Sequence, residues 1–470
     1  MFTDQEKDYE KAIECYTRAI LLCPGKNGEE LATFYQNRAA ANEMLSNMKN
    51  VIADCSAAII HNKRYLKALL RRAKAYEKEG DLSNALADIT AVCIMEQFEN
   101  ETSLMMTDRL LRQQSKAKAK EYVKTREQKL PSKQFIKHYF MSFVQDPFFK
   151  DGEPVDEDQI MSLLNNLSLN NPNVDDDPKV NLIKATIQIL KGDTDSADEF
   201  LNKVISLTEG SVTDQEMRDI RINALIKLGS IKVQDVEANN VENALQFFDQ
   251  AIQLDPNNPD IYIHRAQLYM MMERTDESRA DLEKCTILSP NFASATAQKL
   301  YIEFRIAFKT ASDFGVQAAL KGFQDAVDRF PHSSEVYSLY AQSLMDKGDF
   351  EEADKYFQKA IDSDPLDANL YVHRGILKMQ QMNDGEKAIK ELDKACIIDP
   401  KCQFAWEMLG SLEVQRGNLV RGIKCFNNAL SAATTELDCA HLFSLRDAAE
   451  AQLRAAETLG VALPPDSTAD

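Results

Sequence analysis

One spacing recurs along this chain and leaves little freedom in how it folds. Residues 351–365, EEADKYFQKAIDSDP, place Ala353, Phe357, Ala360 and Pro365 at fixed intervals. The same intervals return in Ala244, Phe248, Ala251 and Pro256, in Ala319, Phe323, Ala326 and Pro331, and in Ala388, Leu392, Ala395 and Pro400. A second apolar pattern precedes several of them: Trp406, Leu409 and Gly410, then Tyr371 and Gly375, Tyr337 and Ala341, Tyr262 and Ala266. Small residues seven apart let two helices approach closely, and the large residue between them, four after the first and three before the second, fills the space that remains. A proline then ends the second helix. The unit is a helical hairpin of roughly 34 residues. One hairpin cannot bury its apolar face, so such units must stack.

This is the tetratricopeptide (TPR) signature, and it predicts an all-α TPR solenoid with a concave groove. With Ala, Phe, Ala and Pro at repeat positions 20, 24, 27 and 32, units begin near residues 32, 66, 178, 259, 334, 368 and 403. The units ending at Pro256 and Pro331 are longer, with insertions near 233–240 and 305–315. An amphipathic helix over about 436–459 is expected to cap the open end. The same register reads the first residues: Ala12, Tyr16, Ala19 and Pro24 fill positions 20 to 32, so Met1 falls at position 9. The expectation is a start inside a hairpin, from a shortened chain, an alternative start or an incomplete gene.

The repeats form two arrays. Residues 1–128 hold the first array and a basic connector helix. Residues 129–177 read as an aromatic segment, LPSKQFIKHYFMSF, that packs back on a solenoid, followed by an acidic interdomain linker rich in Asp, Asn and Pro. Residues 178–470 form the second array. From Arg109 to His138 there are ten Lys or Arg and two acids, Glu121 and Glu127. A solvated connector accounts for them; a surface for an acidic peptide or anionic lipid is the alternative.

The formal net charge of −19 argues against general nucleic-acid binding, because phosphates repel such a chain, and favours basic partners. Nine cysteines contain no C-x-x-C pair; Cys55, Cys285 and Cys425 occupy apolar helical phases and read as reduced core residues. No apolar run is long enough to cross a membrane, so no anchor is expected within this chain. Phosphate-loop, nucleophile-elbow, dinucleotide and H-E-x-x-H motifs are missing. The six histidines are scattered, and His264 and His373 share one repeat position, which suits packing. Neither an enzyme nor a cofactor nor a metal site is expected.

Attention therefore moves to the grooves, lined mainly by positions 2, 5, 6, 9, 12 and 13 of each first helix. In the first array these include Asn37, Lys67 and Arg71. Lys67 and Arg71 lie at i and i+4 on one helix face. Two cations and an amide on one wall can hold a carboxylate through charge-assisted hydrogen bonds, each worth about 1.5–3 kcal/mol. The default for such a pair is a solvated face, but repeat phase turns both toward the groove. The pattern resembles the dicarboxylate clamp of co-chaperone TPR domains. That resemblance implies binding of the C-terminal Glu-Glu-Val-Asp tails of cytosolic heat-shock chaperones. The family also uses a lysine at position 5 and an asparagine at position 9 of its first repeat. Here position 5 precedes the chain and position 9 is Met1. Two missing partners would cost on the order of 3–5 kcal/mol, at least about a hundredfold in affinity.

Several stretches go beyond the TPR consensus: TFYQNRAAANEML, KALLRRAKAYEK, ITAVCIMEQF, LYVHRGILKMQ, EVQRGN and HLFSLRDAAEAQ. In this order they resemble the large TPR receptors of the mitochondrial outer-membrane translocase. The resemblance implies a receptor on the cytosolic face of the outer membrane, working with other translocase subunits. Its first array would dock the chaperone, and its second would take hydrophobic preproteins such as carriers. The chain departs from that family in lacking its anchor and first clamp helix, and in being short between the arrays. A soluble cytosolic TPR co-chaperone adaptor is the alternative.

Repeat phase gives the lining of the second groove as Ile263, Met270, Met271, Met345, Val372, Met379, Phe404, Glu407 and Val414. Methionine is flexible and polarizable and suits varied apolar peptides, and Glu407 could meet a cation on a targeting helix. The plainer alternatives are methionines packed on the neighbouring hairpin and a solvated Glu407.

Overall fold

The computed structural model describes residues 4–23, 28–149, 155–169, 174–210, 213–232, 240–382 and 385–461. Among them are 23 α-helices, one 3-10 turn and no strand. A lone α1 (Asp4–Leu22) precedes the hairpins α2 (Gly28–Met44) with α3 (Met48–His61) and α4 (Leu66–Glu79) with α5 (Leu82–Met95). Three less regular helices follow: α6 (Glu101–Thr125), α7 (Lys133–Met141) and α8 (Glu157–Leu169). Hairpins then resume as α9 (Pro178–Lys191) with α10 (Thr194–Leu207), α11 (Gln215–Lys232) with α12 (Asn240–Leu254), and α13 (Pro259–Met271) with α14 (Thr275–Leu288). They continue as α15 (Ala293–Lys309) with α16 (Asp313–Arg329), α17 (Ser334–Lys347) with α18 (Phe350–Ser363), and α19 (Ala368–Met382) with α20 (Gly385–Ile398). The chain closes with α21 (Gln403–Gln415), α22 (Leu419–Ala432) and α23 (Glu436–Leu459).

The fold class is the expected one. Helices start at residues 66, 178, 259, 334, 368 and 403, where the repeat spacing puts them. Only α2 begins early, at Gly28, its first turn carrying Glu29 and Glu30 against the positive end of the helix dipole. The signature residues are the core: Phe248, Phe323 and Phe357 are fully buried between small residues of the same hairpins. The insertion near 305–315 is absorbed by lengthening α15 and α16 to 17 residues each; most of the one near 233–240 lies outside the described residues.

Two side-chain devices repeat with the hairpins. The hydroxyl of Tyr262 donates to the carbonyl of Pro256 at 2.8 Å, Tyr337 to Pro331 at 2.9 Å and Tyr371 to Pro365 at 3.2 Å, fixing each hairpin to the turn before it. Arg38 pairs with Asp54, Arg72 with Asp88 and Arg265 with Asp281, each through two parallel N–H···O bonds of 2.6–3.0 Å. These pairs tie the first helix of a hairpin to its second.

The chain divides into two compact units, and the division differs from the one read in the sequence. The first unit comprises Met1–Arg126 with Trp406–Asp470, so the last helices belong with the first ones. Ala451, Ala455 and Leu459 of α23 share one core with Leu86, Ile89 and Leu110. Cys439, Leu442 and Phe443 share another with Ala119 and Leu430. Asp447, almost fully buried, accepts from Gln114 Nε2 at 2.6 Å and Lys118 Nζ at 2.8 Å. Helix α23 therefore does not cap a second array that runs from 178 to 470; it closes the hairpin stack of the first unit. The basic helix α6 is likewise no bare connector. Arg126, directly after it, donates to the carbonyls of Ala433 and Thr434, and its Tyr122 to that of Leu430, while Lys116, Lys120 and Lys124 stay exposed.

The second unit is Glu127–Ala405. The expected linker within 129–177 is largely packed structure. Ile136 and Phe140 of α7 join Val155, Ile160, Ile183, Ile187 and Leu190 in one core. The polar face of α7 is held by Asp364, which accepts from Gln134 at 2.8 Å and Lys137 at 2.9 Å and lies 3.6 Å from His138.

Candidate functional site

Helix α4 carries two successive arginines with opposite fates. Arg72 spends every edge of its guanidinium: Nε and Nη2 on Asp88 at 2.7 Å, and Nη1 on Ser56 at 2.9 Å. Arg38 and Arg265 are engaged in the same way, with Thr17 and Asp249 as third partners. Asp54 raises the pKa of Arg38 beyond its ordinary value against the effect of burial. Arg71 departs from this rule. Its Nε donates to Glu43 Oε2 at 2.7 Å, and its Nη1 is enclosed with no acceptor. A buried donor without a partner costs about 1–3 kcal/mol, and such a group calls for an explanation.

The other two residues read as a carboxylate grip frame it. Lys67 sits one turn before Arg71 and is exposed; Asn37 is half-buried on α2, the helix that carries Glu43. Among the described residues neither Lys67 nor Asn37 engages its side chain in a hydrogen bond or ion pair. Asn37, Lys67 and Arg71 thus lie on helices that the Arg71–Glu43 bond ties together, with donors available. Met1 lies outside the described residues. Cys55, near Arg71 and Arg72, is pushed up to about 12 by burial and is inert as a thiolate. Sequence reasoning missed Glu43, although its position 12 in the second repeat is itself a groove position.

The nine residues expected to line a second groove do not form one surface. Ile263 and Val372 are fully buried core residues. Ile263 shares its core with Phe143, and the backbone N–H groups of Val144 and Gln145 donate to Asp260 at 2.6 and 2.9 Å, so the chain's own segment after α7 lies against α13. Phe143 packs 4.3 Å from the ring of His264, and Lys227 sits 5.4 Å from Phe143 while donating to Thr186 at 2.8 Å. Burial holds Lys227 down to about 8, and burial together with Lys227 holds His264 down to about 4. Met270 and Met345 are half-buried, each packed against a hairpin core with part of its side chain open. Met379 is half-buried, and Met271 is 70% exposed. Phe404 lies 5.7 Å from His373. Glu407 and Val414 belong to the first unit, where Glu407 meets His441 at 3.1 Å and Val414 packs beside Gly422. Among the described residues no three side chains are grouped to hold a metal ion, and no helix is long and apolar enough to cross a membrane.

Comparison with known proteins fits this architecture. Tetratricopeptide-repeat profiles match residues 4–26, 235–295 and 316–372. The mitochondrial import receptor subunit TOM70 of Rattus norvegicus is 41% identical over 487 aligned residues, covering 97% of this chain and 78% of the relative; that of Homo sapiens matches equally. The Saccharomyces cerevisiae protein of the same name is 24% identical over 96% of this chain and 78% of its own length. The crystal structure of yeast Tom70 superposes with a TM-score of 0.52 at 23% identity, over 95% of this chain and 93% of that one, a likeness of fold. At 41% identity over nearly its whole length, the chain belongs to the TOM70 family of mitochondrial import receptor subunits.

Proposed function

We propose that this chain receives preproteins for mitochondrial import on the cytosolic face of the outer membrane, in company with other translocase subunits. It has two binding tasks. Asn37, Lys67 and Arg71 hold the Glu-Glu-Val-Asp tail of a cytosolic heat-shock chaperone. The second unit takes a hydrophobic segment of the preprotein, such as a carrier, on the half-buried side chains Met270, Met345 and Met379. The observation that carries the reading is Arg71: among four comparable arginines it alone leaves both Nη groups without an acceptor. A tail carboxylate supplies an acceptor to the open Nη2, and Lys67 and Asn37 supply further donors beside it. Methionine side chains adapt to varied apolar sequences, which suits a receptor for many preproteins.

Photo-crosslinking tests the preprotein half. A photoreactive residue at Met345 or Met379 is expected to crosslink to a chaperone-delivered carrier precursor, and excess free tail peptide is expected to reduce the yield. The same residue at Phe314, 87% exposed, serves as the control and should not crosslink. Equal yields from all three positions would contradict the assignment of the precursor site. A full yield despite excess tail peptide would contradict chaperone docking.

A further inference from the structure

The half-engaged state of Arg71 has its cause in Glu43. Arg38, Arg72 and Arg265 each meet a carboxylate through two parallel bonds, which uses Nε and one Nη together. Glu43 meets Arg71 through Nε. An arginine held by this edge keeps a fixed guanidinium plane and an Nη1 without an acceptor. The side chains are partly open to solvent, 22% for Arg71 and 30% for Glu43; Nη1 is enclosed, so the donor within reach of a ligand is Nη2, which makes no hydrogen bond. Glu43 also shares α2 with Asn37, so the residue that orients the cation is fixed to the same helix as the amide.

We infer that Glu43 is a positioning residue of the tail site: it holds the Arg71 guanidinium by its Nε edge so that the open Nη2 remains available to a carboxylate of an acidic peptide. This rests on the proposed chaperone-tail reading. Orientation and charge are separable here. Glutamine at this position keeps an oxygen to accept from Nε and removes the charge, whereas alanine removes both. Long side chains lose rotamer freedom when they bind, and a guanidinium fixed beforehand loses less.

The test is a titration of a fluorescent Glu-Glu-Val-Asp peptide against the full chain carrying Glu43→Gln, Glu43→Ala, Arg71→Ala or the pair Glu43→Ala with Arg71→Ala. The wild-type chain is expected to bind. Glu43→Gln should bind as tightly as wild type or tighter, and Glu43→Ala about tenfold more weakly with an unchanged melting temperature. Adding Glu43→Ala to Arg71→Ala should have no further effect, because Glu43 acts through the arginine. Wild-type affinity in Glu43→Ala would overturn the inference while leaving the tail site standing. So would an equal tenfold loss with and without Arg71, which would mark Glu43 as a plain structural residue or a direct contact. A wild-type chain that does not bind the peptide would remove the tail site, and the inference with it.

Discussion

Arg71 and Arg72 are one residue apart and do different work. Arg72 and Asp88 form a nearly buried bidentate pair. Arg72→Ala leaves the Asp88 carboxylate without its partner, and it should destabilise the fold by about 3–5 kcal/mol, read by denaturant unfolding. Arg71→Ala breaks a partly exposed pair with Glu43, and such pairs contribute at most about 1 kcal/mol. That variant should unfold with nearly wild-type stability while binding the acidic peptide measurably more weakly. The two phenotypes would exchange places if Arg72 were the ligand-binding arginine. Repeat phase separates these roles in the sequence, since Arg71 falls at a groove position and Arg72 at the next. The Arg–Asp pairs are also legible once the repeat is found, because 38 with 54, 72 with 88 and 265 with 281 share one spacing of sixteen. The orphaned Nη1 is not legible, because it depends on which edge Glu43 meets.

Within the hairpins, close approach and buried histidines set the limits. A Cβ added at Gly410 would come 2.8 Å from the ring of Phe426. Gly410→Ala should therefore cost about 1–3 kcal/mol through overpacking, although alanine favours helix; an unchanged melting temperature would show that α21 and α22 can separate. His373 lies 6.4 Å from Phe357 and is held down to about 4 by burial. Between its ordinary value near 6.5 and about 4, the unfolded chain takes up a proton that the folded chain refuses. Stability from His373 is thus present above pH 6.5 and is lost as pH falls toward 4, and His264 acts with the same sign. His138 opposes them: burial works against its cation, but Asp364 and Asp367 outweigh it and raise its pKa. Its contribution is full below pH 6.5 and is lost as pH rises through the raised value. His373→Phe should flatten the loss of stability between pH 6.5 and 4, and an unaltered slope in urea unfolding would contradict this. Hairpin starts and core phases were readable because they repeat. Helix α8 was not, because it stands alone among Asn, Asp and Pro and owes its place to Ile160 in a core that α7 and α9 complete.

At the scale of the molecule, the first unit is assembled from both ends of the chain. Repeat counting cannot foresee this: periodicity reports how each hairpin packs on its neighbour, and α23 is not a repeat. Its partners are α5 and α6, and the link runs through Asp447, Gln114 and Lys118. Deleting residues 436–470 should uncover the core around Leu110 and Ala119 and abolish acidic-peptide binding, although Asn37, Lys67 and Arg71 remain in place. Circular dichroism melts of the deleted chain check the cause; full binding and an unchanged melt would show that α23 is dispensable. As proposed, the first unit is a receptor for a carboxylate tail. Fluorescence-anisotropy titration of a labelled Glu-Glu-Val-Asp peptide against this chain, beside the Lys67→Ala/Arg71→Ala double variant, tests it most directly. Saturable binding by the wild-type chain and none by the double variant is the expected result. Equal binding by both, or by neither, would contradict it.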